Sequence, residues 1–94
     1  MTRRSDTPTR ELTAEELDDL RHMVGAQAHI PKRNWGFRNY YNASLGSEDE
    51  KRMRELERLG MVVAGRPGYW HVTEQGCKAI NLKPAQMKRA LHGD

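Results

Sequence analysis

The chain has 94 residues, 36% of them hydrophobic and 31% charged, so it can build one thin core and no second domain. Its 16 Lys and Arg against 13 Asp and Glu leave a net charge of +3, which permits an acidic partner without demanding one. The single Cys77 excludes an internal disulfide framework. It suits a reducing compartment, and with no apolar run near membrane-spanning length and no apolar leader after Met1 the expected location is the cytoplasm.

Residues 1–11 are polar and carry Pro8, which predicts a flexible N-terminal segment ahead of a single domain over 12–94. Thr13-Ala-Glu-Glu16 is a capping box with Leu12 and Leu17 at the flanking apolar positions. The helix it opens puts Leu17, Leu20, Met23 and Val24 on one stripe, and Gly25 is a natural stop. From Gln27 to Gly46 the periodicity is poor. A loop is expected there, then a short helix about Phe37 to Ala43.

Ser47-Glu-Asp-Glu50 is a second capping box. Its helix sets Met53, Leu56 and Leu59 three apart in an otherwise charged run, so only a narrow stripe is buried. Gly60 fits a left-handed cap. Met61–Ala64 and Tyr69–Val72 flank the turn Gly65-Arg-Pro-Gly68 and read as a β-hairpin. Alternation turns Trp70 and Val72 inward, Tyr69 and His71 outward. Thr73 caps a further helix with Val72, Cys77 and Ile80 on its apolar side. Pro84 suits the first turn of a last helix with a weak stripe of Met87, Ala90 and Leu91.

The run Leu56-Glu-Arg-Leu-Gly-Met-Val-Val63, followed by Tyr69-Trp-His-Val-Thr-Glu-Gln-Gly76, resembles the helix and wing of MarR-like winged helix-turn-helix regulators. Arg38-Asn-Tyr-Tyr41 ahead of such a unit is similar to small bacteriophage-encoded proteins. The resemblance implies an α+β, mainly helical fold: a three-helix core, a two-stranded hairpin and a C-terminal helix. It also implies that the helix before the wing enters the major groove of duplex DNA while the wing tip reaches the minor groove or backbone.

In this chain the first turn of that helix is Glu48-Asp49-Glu50, whose carboxylates oppose phosphates and suit a helix N-terminus without any ligand. Positive charge lies elsewhere. Arg66 stands at the wing tip, Lys32, Arg33 and Arg38 precede the helix, and both chain ends are basic. Those four residues are the expected nucleic-acid contacts. The interleaved Lys32-Arg-Asn-Trp-Gly-Phe-Arg either stacks on bases or supplies aromatic bulk to the core.

No Cys or His pair has metal-ligand spacing, so no metal or cofactor is expected. Neither a nucleophile with a base nor a phosphate-cradling glycine loop is present, so an enzyme is not expected. Two functions remain. One is a phage or mobile-element regulator that binds double-stranded DNA through its basic residues, with a possible homodimer through Met87 and Leu91. The other is a phage accessory protein that binds and inhibits a host or defence protein through Tyr40, Tyr41, Glu48 and Asp49.

Overall fold

A computed structural model of the chain describes residues 11–92. The basic residues Arg3, Arg4 and Arg10, and all of the expected flexible segment except Glu11, lie outside the described residues. The described part is α+β, with four α-helices and one antiparallel three-stranded sheet.

The first helix, α1 (Ala14–Val24), starts on the complete capping box: Thr13 Oγ1 accepts from the Glu16 amide while Glu16 Oε1 accepts from the Thr13 amide. Leu20, Met23 and Val24 are fully buried, as the stripe requires. Gly25 ends the helix in the left-handed region at φ 75°.

The last turn of a helix leaves carbonyls without intrahelical partners, and the following chain satisfies those of α1. The Gly36 amide donates to Val24 (2.9 Å) and the Tyr40 amide to Met23 (3.1 Å). Arg38 donates from Nε and one Nη to the His22 carbonyl at 3.2 and 2.8 Å. These bonds explain why the helix expected at 37–43 is absent. The Tyr40 amide committed to α1, and the Ala43 amide donated to the Gly68 carbonyl (2.8 Å), cannot also close i to i−4 bonds, so this stretch runs extended, after a 3-10 turn at Lys32–Asn34, into β1 (Tyr41–Asn42).

The second long helix, α2 (Glu48–Arg58), follows. Ser47 Oγ accepts from the Glu50 amide at 3.1 Å, but Glu50 returns its carboxylate to the Gly46 amide at 2.7 Å instead of to Ser47. Met53, Leu56 and Leu59 are buried. Strands β2 (Val62–Ala64) and β3 (Tyr69–Val72) form the hairpin, and the order β1-β3-β2 makes a three-stranded sheet where two strands were expected. Trp70 and Val72 point into the core while Tyr69 and His71 lie on the opposite side, as alternation predicts.

Asn39 extends the pairing ahead of β1. Its Oδ1 accepts from the Val72 amide at 2.7 Å, and its Nδ2 donates to the carbonyls of Val72 (3.2 Å) and Ala90 (3.3 Å). The side-chain amide thus serves as one rung of a strand.

Helix α3 (Glu74–Ala79) is capped by Thr73, whose hydroxyl also donates to the Gly60 carbonyl at 2.7 Å. Helix α4 (Pro84–His92) then packs on the 32–36 segment. Gln86 donates to the Lys32 carbonyl at 2.8 Å, and Arg89 donates to those of Arg33 (2.7 Å) and Trp35 (3.1 Å). Gly36, at φ 92°, lies so close to the Gln86 carbonyl that a Cβ there would collide with it. Among the described residues no helix is long and apolar enough to cross a membrane.

Candidate functional site

The outer side of the sheet carries an open hollow of about 690 Å³ lined by Tyr40, Arg66, Tyr69 and His71, with no carboxylate among them. Each side chain is placed by the backbone already described. The Gly65 amide donates to the Tyr69 carbonyl (2.8 Å) and the Tyr69 amide to the Arg66 carbonyl (2.9 Å), closing the turn and lifting Arg66 into solvent. Its guanidinium rests over the Tyr69 ring, 4.7 Å from the centroid. Tyr40 is held from below by its amide bond to α1 and is 48% exposed.

His71 Nδ1 stands 2.7 Å from the Asn39 carbonyl oxygen. A carbonyl only accepts, so Nδ1 carries a proton and donates. Nε2 is left beside Gly65, where an added Cβ would meet it at 2.6 Å. Arg38 lies over the rings of Phe37 (5.4 Å) and Tyr40 (5.9 Å). A second hollow of about 250 Å³, lined by His22, Arg38, Tyr40, Tyr41 and Asn42, shares Tyr40 with the first.

Of the four expected nucleic-acid contacts, the structure therefore places Arg66 and Arg38 in two hollows that share Tyr40. Lys32 and Arg33 are exposed on the 3-10 turn anchored to α4, where Lys32 Nζ sits 5.8 Å from the Trp35 ring centroid. That aromatic cluster is split: Trp35 packs partly against the core and donates to the Ile30 carbonyl at 3.0 Å, whereas Phe37 is 52% exposed.

The expected protein-contact residues also separate. Tyr40 faces the hollow, but Asp49 and Tyr41 join a charge cluster with Asp19, Glu15 and Arg52 between α1 and α2. Arg52 bonds Asp19 at 2.8 Å and Asp49 at 2.7 Å, and the Asp19 hydrogen bond, foremost, holds its guanidinium still more firmly charged. Burial, and then the Asp49 and Asp19 carboxylates, push the Tyr41 phenol above its usual value. Glu48 pairs with Lys51 and Glu50 with Arg54, each at 3.3 Å. The acidic first turn of α2 is thus neutralised within the chain. Met87 and Leu91, the expected dimer contacts, pack partly against this chain's own core.

Tyr69 and His71 were not among the expected site residues, although strand alternation places them outward. No sequence signal marked Asn39. No family model, no curated protein and no solved structure matches the chain.

Proposed function

We propose that the protein is a small winged-helix-like DNA-binding module, a regulator of the kind phages and mobile elements carry, whose contact surface is the outer side of its sheet. Support for the winged-helix reading comes from the order α1, β1, α2, β2, β3 with β3 central. In place of the short helix of the expected pattern stands the extended 37–43 segment, so contact through the turn and sheet replaces contact through a helix pair.

The observation that carries the reading is the electrostatic contrast between two surfaces. Every carboxylate of the first turn of α2 has a basic partner within the chain. Arg66, by contrast, is exposed at the turn and, among the described residues, pairs with no carboxylate. A cation resting on an aromatic face and held by no carboxylate exchanges water for phosphate without breaking an ion pair. Arg38 adds charge to the same surface, although its guanidinium also closes the end of α1.

A salt titration of binding to random duplex DNA tests this. Affinity should fall with a log-log slope near −0.9 per phosphate contact, and Arg66→Ala should reduce that slope by about one. Absence of duplex binding at low salt and micromolar protein would refute it.

A second reading, an accessory protein that occupies a host or defence factor, is favoured by a different surface. Ile30, Pro31, Asn34, Phe37 and Arg89 line an apolar hollow of about 390 Å³ with Phe37 half exposed, the kind of anchor that protein interfaces use. Recovery of one host protein by the wild type, and its loss in Phe37→Ser, is the expected outcome; equal recovery by both would count against this surface.

A further inference from the structure

Phosphate contact alone needs cations, yet the hollow at Arg66 is half aromatic. Tyr40 contributes little to the core, being 48% exposed. Among the described residues the hydroxyls of Tyr40 and Tyr69 have no hydrogen-bond partner. Burial therefore does not explain the Tyr40 ring, and hydrogen bonding explains neither hydroxyl. Beside them, His71 is oriented by the Asn39 carbonyl with Nε2 still to be used.

Ring faces flanked by guanidinium groups match one chemical object well: a flat base attached to a phosphate. Bases inside a duplex are stacked on both sides and present only their edges, so they cannot lie on a tyrosine. An unpaired base can. The hollow, at about 690 Å³, falls within the range of about 300 to 1,000 Å³ typical of small-molecule sites, which leaves room for a nucleotide. Resting on the nucleic-acid reading above, we infer that this hollow takes an unpaired base of single-stranded nucleic acid. The base stacks on the exposed Tyr40 ring, its phosphate meets Arg66, and the Tyr69 hydroxyl and His71 Nε2 face its polar edge.

Fluorescence anisotropy with three labelled probes of equal length tests the inference: an oligothymidine strand, the same backbone lacking bases, and a random duplex. At one salt concentration the oligothymidine should bind roughly 5- to 150-fold more tightly than the base-free strand, the range that base–aromatic stacking supplies. Tyr40→Ala should remove most of that advantage and leave the base-free strand's affinity unchanged. Tyr40→Phe should retain it. Thermal unfolding of each variant confirms that the sheet persists. Equal affinity for the oligothymidine and base-free strands, or tighter binding of the duplex, would overturn this inference while leaving the duplex reading standing. Binding of none of the three would overturn both.

Discussion

Replacing Asn39 by alanine should weaken the fold far more than its half-buried position suggests. The side chain supplies one acceptor and two donated bonds, to the Val72 amide and to the carbonyls of Val72 and Ala90. Val72 is 2% exposed, so water cannot replace Oδ1 at its amide, and an orphaned buried donor costs about 1 to 3 kcal/mol. The two longer bonds to carbonyls add about 0.5 kcal/mol each, the low end for a neutral hydrogen bond. The sum is about 2 to 4 kcal/mol. For a domain of this size that lowers the melting temperature by about 10 to 30 °C.

Urea unfolding followed by far-UV circular dichroism reads this as a reduced midpoint with the slope unchanged. Asn39→Asp sharpens the comparison. It keeps the acceptor for the Val72 amide but turns a carboxylate toward two carbonyl oxygens, and should be at least as unstable as the alanine variant. A loss below about 0.5 kcal/mol in Asn39→Ala would refute the view that this amide acts as a missing strand rung.

Gly36→Ala combines an unfavourable φ with a collision against the Gln86 carbonyl, and should cost about 3 kcal/mol, with faster hydrogen exchange in α4 as the readout. Arg52→Ala leaves the nearly buried Asp19 carboxylate unpaired. It should cost about 2 kcal/mol, less than the 3 to 5 of a fully buried pair because a quarter of the Arg52 side chain meets solvent, measurable by chemical denaturation. Burial, with Glu74 nearby, pushes the Cys77 thiol up to about 11. Thiol reagents at pH 8 should therefore label it only through opening of the fold, and rapid labelling of the native protein would contradict its burial. The sign of the linkage follows: a raised thiol pKa favours the folded state fully below about 9, and that contribution is lost as pH rises toward 11.

The helices and the hairpin were legible because their signals are local. Thr13 with Glu16, Ser47, Gly60, Thr73 and Pro84 each announce a boundary through bonds within a few residues. The stretch from Gln27 to Ala43 was not legible, because its partners are the end of α1, strand β3 and helix α4. Nothing in Gly36-Phe-Arg-Asn-Tyr40 signals that its first and last amides will be spent on the carbonyls at positions 24 and 23. The candidate site shows the same division. Arg66 follows from the turn chemistry of Gly65-Arg-Pro-Gly68, whereas its neighbour Tyr40 comes from the segment whose conformation was misjudged, and His71 acquires its orientation from a carbonyl 32 residues away.

The way residues 36–40 attach to α1 bears on how this surface can change over time. Gly36 and Tyr40 hold on through main-chain amides, which any residue but proline possesses. Exchanging the ring at position 40 therefore leaves its anchorage intact, as does a new side chain at 37 so long as it clears Gly25. The scaffold and the recognition chemistry are inherited separately, and a lineage carrying this chain can retarget position 40 without first gathering stability elsewhere.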